Sequence, residues 1–282
     1  MNSADRYRNN ILSFQGQLDP SRISFQHLPR APLPATNVVI SGMGGSGITG
    51  AIIAAARQEL GISGYCTTWK SYGIPAVPSP SQTLFLFVSF SGNTEEVLSG
   101  IRQAKKKGLA TAVVTTGGKL LAFAARHRIP SAVFAPEALV PRQATGLLVT
   151  AASLLLFHLG VAAKYPRTTA PFPASHEHTG EKLAKKLLSS KLILLYTAPD
   201  EAHFGLIWKA KLNETAKFLA FANTIPEMNH NEIVGFQRTK VSAHALFLVS
   251  RKTAKRVVAR MQLTAELLKN LHIASTTLSL QG

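Results

Sequence analysis

Cysteine and acid are both scarce in this sequence. Its 282 residues hold one cysteine, Cys66, and 14 aspartates and glutamates against 31 lysines and arginines. A single cysteine excludes an intramolecular disulfide framework and fits a reducing compartment. The opening stretch, MNSADRYRNN, lacks the apolar core of a signal peptide, so a cytoplasmic location is expected. No apolar run reaches the roughly 20 residues that a membrane-spanning helix needs. The longest covers residues 147–163, carries Ser153 and His158, and reads as a buried helix; a membrane partner is therefore not expected. The basic residues form no long block or tail and no aromatic-interleaved basic motif. The net charge of +17 therefore points to solubility and to steering of anionic substrates more than to nucleic acid.

The 46% apolar content suffices for a sizeable core. Residues 83–88 form a continuous run of β-formers, as in a strand buried on both faces of a parallel sheet. Ser89, Ser91 and Thr94 follow, with Gly92 and Asn93 between them, and residues 95–107 have helical spacing. Asn93 or Thr94 can cap that helix, with Glu95 and Glu96 in its first turn. A strand, a hydroxyl-rich glycine turn and a helix N-terminus make an anion cradle, because unpaired amides and the dipole favour phosphate. The plain alternative is a capped turn, and Glu95 and Glu96 would repel an anion unless they point away. A second such turn follows the strand at 37–41: Gly42-Met43-Gly44-Gly45-Ser46-Gly47, ahead of helical spacing at 48–60.

Gly42, Gly44 and Gly47 match a dinucleotide fingerprint in form. That reading also needs an acid about 20 residues on, at the end of the next strand. Residues 64–69 are followed instead by Lys70, which leaves room only for a 2′-phosphate and gives little support to a nicotinamide cofactor.

Strands at 111–115 and 131–134 alternate with a helix at 119–128, giving a parallel sheet flanked by helices. Residues 1–35, polar and then proline-rich, read as an N-terminal leader crossing the surface. Residues 36–163 read as a first α/β domain and 164–178 as a linker. A second α/β domain, 179–282, holds strands at 191–197, 217–222, 244–250 and 272–278 and helices from Thr179, at 201–216 and at 253–270. The fold expected is α/β, two domains in tandem, each a parallel sheet flanked by helices.

Four stretches together, GMGGSG (42–47), SFSGNTEE (89–96), LNETAK (212–217) and PEMNHNEIVGF (226–236), resemble the bifunctional phosphoglucose/phosphomannose isomerases, built from two SIS (sugar isomerase) domains. The resemblance covers nearly the whole chain, and the stretch around His230 is its most specific element. It implies that Gly45, Ser46, Ser89, Ser91 and Thr94 hold a sugar phosphate. It implies that Glu214 shuttles a proton between C1 and C2, that His230 opens the sugar ring, and that Arg142 stabilises the enediol. It further implies a homodimer whose active site is shared between subunits, and metal-free chemistry without a cofactor. Relatives continue past residues 276–280 with helices that carry a lysine at the substrate, so the second domain is expected to be shortened and a sugar-phosphate sensor without turnover is the alternative function.

The residues alone leave these roles open. Aldose–ketose isomerisation needs a carboxylate base, a group that relays protons near neutrality, and positive charge over the enediolate. Glu214 can be that base, or a solvated helical glutamate paired with Lys211 or Lys217. His230 can be an ordinary loop histidine. His176 and His178 are too few to suggest a metal site. Arg142, at a helix start, opposes the helix dipole, which mildly favours a functional role.

Overall fold

Alternation along the strands decides where each helix packs. Val38 and Ile40 of one strand and Leu84, Leu86 and Val88 of another share one buried cluster, while Val39, Phe85 and Phe87 share the opposite one. Successive strand residues face opposite sides, so a strand buried throughout needs cover on both faces. Each fully buried Phe contributes about 1.5–3 kcal/mol of transfer free energy.

The structure, a computed structural model, describes residues 3–137, 139–166, 175–238 and 242–280. The chain divides into two units, Met1–Phe172 and Pro173–Gly282. In the first, α1 (Ser3–Leu12), β1 (Ser24–Gln26), β2 (Asn37–Ser41), α2 (Gly44–Ala55), β3 (Cys66–Trp69), β4 (Thr83–Ser89), α3 (Glu95–Lys106), β5 (Thr111–Thr115), α4 (Gly118–Arg126), β6 (Ser131–Val133) and α5 (Thr145–His158) follow in order. Its sheet runs β1-β6-β5-β4-β2-β3, parallel except for β1, which pairs antiparallel with β6. The chain leaves β2 for β3 at one edge and returns to β4 on the other side of β2. The sheet therefore reverses direction between β2 and β4, where open α/β sheets bind ligands.

The second unit holds α6 (Ser175–Leu187), β7 (Leu192–Thr197), α7 (Ala202–Lys211), β8 (Ala220–Thr224), α8 (Glu232–Gly235), β9 (Ala243–Val249), α9 (Lys255–Asn270) and β10 (Ala274–Ser279). Its sheet, β10-β9-β7-β8, is parallel throughout. The same reversal falls between β7 and β9. Both units are therefore largely parallel α/β sheets flanked by helices.

Several boundaries differ from the sequence reading. α2 begins at Gly44 rather than Ile48, because the small residues form its first turn. α5 stops at His158, and Gly160 follows at φ +73°, a conformation that ends helices readily. The stretch read as one helix, 201–216, ends α7 at Lys211 and continues as a π-helical turn, Leu212–Ala216. Lys217, left-handed at φ +55°, stops it, and β8 starts only at Ala220. Of the stretch read as a linker, residues 167–174 lie outside the described residues, and 175–178 form the first turn of α6.

The leader does more than cross the surface. It forms α1 and β1, and buries Gln17 at 2% exposure. Gln17 Nε2 donates to the Gln143 carbonyl at 2.9 Å, and its Oε1 accepts from the amide of Gly146 at 3.1 Å. Asn10 Nδ2 donates to Gln143 Oε1 at 3.2 Å. The segment thus braces the turn Pro141–Gln143 and the start of α5.

Candidate functional site

Both hydroxyl- and glycine-rich turns leave the C-terminal ends of β2 and β4, the two strands that flank the sheet reversal. The structure brings them together. The Phe90 amide donates to Ser46 Oγ at 3.1 Å, tying the second turn to the first. Ser89 Oγ and Thr94 Oγ1 lie 2.8 Å apart, and Ser89 Oγ also accepts from the Gly92 amide at 3.1 Å. Ser46 and Ser89 are buried, Thr94 is half-buried and Ser91 is exposed. The Asn93 amide donates to Ser91 Oγ at 3.2 Å.

Two glycines are required here by geometry. Gly92 sits at φ +67°, and a Cβ on it would collide with the carbonyl of Gly117. A Cβ on Gly45 would stand 2.9 Å from the Pro141 carbonyl and 3.6 Å from Arg142 Cα. The N-terminus of α2 can therefore approach the Pro141–Arg142 turn only because residue 45 has no side chain. Gly45 and Arg142, nearly a hundred residues apart, are thus neighbours, with Arg142 half-buried. The methylene stem of Lys70 lies against Gly47 on the same turn.

Neither α2 nor α3 has a side-chain cap: Met43 and Thr94 stand at their N-cap positions without a capping bond. Thr94 was expected to cap α3, but its hydroxyl turns to Ser89 instead. Asn93 also leaves the cap, since its Oδ1 accepts from the Lys119 amide at 3.1 Å. Two helix N-termini therefore converge with amides that no side chain satisfies, the arrangement that favours an anion. Glu95, the nearby acid, is exposed and accepts from the Tyr72 hydroxyl at 3.2 Å.

The two remaining candidates lie in the second unit. Glu214 stands in the π-helical turn, half-buried. Lys217 Nζ donates to the Glu214 backbone carbonyl at 2.8 Å, a bond to the main chain. Asn213 pins the turn to the edge strand, accepting from the Ala220 amide at 2.8 Å and donating to its carbonyl at 3.2 Å.

His230 ends the short 3-10 turn Glu227–His230 and is exposed. Its neighbours hold the loop from beneath. Asn229 Nδ2 donates to Thr264 Oγ1 at 2.8 Å, and Asn231 caps α8 through the Glu232 amide at 2.6 Å. The Glu232 carboxylate accepts from Tyr196 Oη at 2.9 Å and from Asn223 Nδ2 at 2.5 Å. Burial, with that carboxylate beside it, pushes the Tyr196 phenol far above its ordinary range. The sequence motif marked this loop, but Tyr196, Asn223 and Thr264 could not be picked out as its supports.

Glu214 precedes β8 and His230 follows it. The five-residue strand between them spans roughly 15 Å. Next to the His230 loop, Asn229, Ile233, Arg256, Arg260, Leu263 and Leu267 line a groove of about 460 Å³. His176 and His178 lie exposed in the first turn of α6. No group of three or more potential metal ligands is gathered among the described residues, and no helix among them is long and apolar enough to cross a membrane.

Comparison with known proteins shows what the chain is similar to. Residues 176–282 match the family described as bacterial phospho-glucose isomerase C-terminal SIS domain. A bifunctional phosphoglucose/phosphomannose isomerase of Pyrobaculum aerophilum is 31% identical, over 81% of this chain and 70% of its own. One from Aquifex aeolicus is 25% identical over 93% and 82%. A D-glucosamine-6-phosphate 4-epimerase of Sulfolobus acidocaldarius is 27% identical over 71% and 63%. Among solved structures, a glucosamine-6-phosphate deaminase of Thermotoga maritima shares the fold with a TM-score of 0.61 at 16% identity, over 96% of this chain and 84% of its own. A hypothetical protein of Thermus thermophilus reaches 0.65 at 17% identity, over 88% and 73%.

Proposed function

Since the chain belongs to the bifunctional phosphoglucose/phosphomannose isomerase family, we propose that it interconverts glucose 6-phosphate and mannose 6-phosphate with fructose 6-phosphate. The observation that carries this reading is the cradle at the sheet reversal of the first unit, where Ser46, Ser89 and Thr94 meet two uncapped helix N-termini. Such a site suits the phosphate of a sugar phosphate. Gly45, Ser46, Ser89, Ser91 and Thr94 bind that group, and Arg142, against Gly45, brings positive charge to the same end of the sheet.

The chemistry is a proton transfer through a cis-enediol. His230 relays protons while the ring oxygen and C1 hydroxyl exchange them during ring opening. Glu214 takes the proton from C2 of the open-chain aldose and returns it to C1, giving the ketose. Arg142 stabilises the charge that develops on the enediol oxygens. No step calls for a metal or an organic cofactor.

The protein acts as a homodimer with a shared site. Glu214 and His230 lie at opposite ends of β8, which argues that one chain's histidine does not serve its own glutamate. Exposed Val234, Leu263 and Leu267 beside the His230 loop suit burial against a second copy.

A coupled assay on fructose 6-phosphate, reading both aldose phosphates in the presence of EDTA, tests turnover, substrate range and metal need together. Turnover should persist with EDTA. Binding of fructose 6-phosphate without turnover would identify a sugar-phosphate sensor instead. Glucosamine 6-phosphate belongs in the panel, because a relative of similar identity is named for acting on it.

A further inference from the structure

The second unit repeats the sheet reversal of the first, and the same two kinds of turn meet there. β7 leads through the 3-10 turn Pro199–Glu201 into α7, and β9 leads through Ser250–Thr253 into the 16-residue α9. In the first unit the turn after β4 offers hydroxyls and amides to an open cradle. In the second, the turn after β9 offers Ser250 and Thr253. Ser250 folds its turn as Ser91 does, through the amide two residues on: the Lys252 amide donates to Ser250 Oγ at 2.9 Å, and the Ser250 amide to Thr253 Oγ1 at 2.9 Å.

This second position is filled from within. Glu201, only 6% exposed, comes from the turn after β7. Its Oε2 accepts from Thr253 Oγ1 at 2.6 Å, and its Oε1 accepts from Ser250 Oγ. Both carboxylate oxygens are thus held by hydroxyls at the head of a long helix, and the only other side chains on that turn, Arg251 and Lys252, are cationic and exposed. A buried carboxylate costs several kcal/mol in lost hydration, and here the hydroxyls offset part of that loss.

We infer that the sheet reversal of the second unit is an oxyanion site of the same construction as the first, closed by the chain's own Glu201 carboxylate. The chain therefore has one cradle open to phosphate and one with a resident anion. The ligand class that the closed site would take, once emptied, is a small oxyanion such as phosphate. The inference concerns only the second unit and does not depend on the isomerase reading.

The test uses the full chain and inorganic phosphate, with chloride at matched ionic strength as the control. Stoichiometry is measured by calorimetric titration for the wild type, Glu201→Ala and Glu201→Gln. Glu201→Ala should take up one more phosphate per chain than the wild type, and adding Ser250→Ala should abolish that extra site. Glu201→Gln, which still fills the space, should gain none. Melting temperatures give a second readout: phosphate should raise that of Glu201→Ala more than that of the wild type. Equal phosphate uptake by wild type and Glu201→Ala would overturn the inference. So would a Glu201→Ala protein that stays unfolded with and without phosphate, since the added anion should replace the lost carboxylate. The wild-type stoichiometry reports on the first cradle separately, so failure there is distinguishable from failure here.

Discussion

The two sheet reversals share a topology and differ in what occupies them. At the first, between β2 and β4, Ser89 and Thr94 bond to each other, Ser46 and Ser89 accept from main-chain amides, and no carboxylate bonds to the three hydroxyls. At the second, between β7 and β9, a buried glutamate takes both hydroxyls. The reversal fixes where an anion can sit. Whether a ligand or a side chain supplies it depends on a residue from the neighbouring turn. At the first that turn carries Gly45 and Ser46 and no acid, while at the second it carries Glu201.

Glu214→Gln should separate the two units most sharply. With the base removed, kcat should fall by roughly 10²–10⁴-fold, the range of general-base catalysis, while fructose 6-phosphate still binds the first unit. Steady-state kinetics beside equilibrium titration read both effects, and full turnover would refute the assigned base.

Gly92→Ala should do the reverse and strike binding first. It forces a Cβ into a left-handed position against the Gly117 carbonyl, at about 1–3 kcal/mol of backbone strain. Affinity for sugar phosphate should drop roughly tenfold to a hundredfold, read as a rise in Kd. Unchanged affinity would show that this turn does not hold the ligand.

Gln17→Leu should have a smaller effect, again in the first unit. It leaves the Gln143 carbonyl and Gly146 amide without their buried partner, each costing about 1–3 kcal/mol. The melting temperature should fall, and kcat should fall with it as the Arg142 turn loosens. A lower melting temperature with kcat intact would make Gln17 purely a fold residue.

The pH response of the second unit should be the mildest effect. Burial lowers the pKa of His203, and burial together with Lys186 lowers that of His244. A histidine that resists protonation when folded binds fewer protons than the unfolded chain. Its stabilisation is therefore present above pH 6.5 and is lost as pH falls below it. The raised phenol of Tyr196 acts at the other end, with stability lost as pH rises above 10. Tyr196→Phe should flatten the alkaline limb while removing a bond from Glu232. Denaturation midpoints across pH, followed by Trp208 fluorescence, would measure both limbs.

Much of this was legible in the sequence because it is local. The apolar runs at β4, β5, β7 and β9 are buried as their composition requires, and the two hydroxyl- and glycine-rich turns announce themselves in short stretches. β1 was illegible: three residues, Ser24–Gln26, with little burial, carry too weak a pattern and are strand only because β6 offers an edge. Glycines at 44 and 45 read as turn, yet open α2, where the Pro141 carbonyl leaves room for nothing larger than glycine at residue 45. Gln17 and Glu201 were invisible for a common reason. Their partners lie 126 and about 50 residues away, and no local spacing encodes such a meeting.

The central claim is that phosphate is held at the first reversal and excluded from the second. A crystal soaked with fructose 6-phosphate tests it most directly. The phosphorus should lie within hydrogen-bonding reach of the Ser46, Ser89 and Thr94 hydroxyls and the N-termini of α2 and α3, with Glu201 still bound to Ser250 and Thr253. A phosphate far from Ser46 and Ser89, or one that has displaced Glu201, would contradict it.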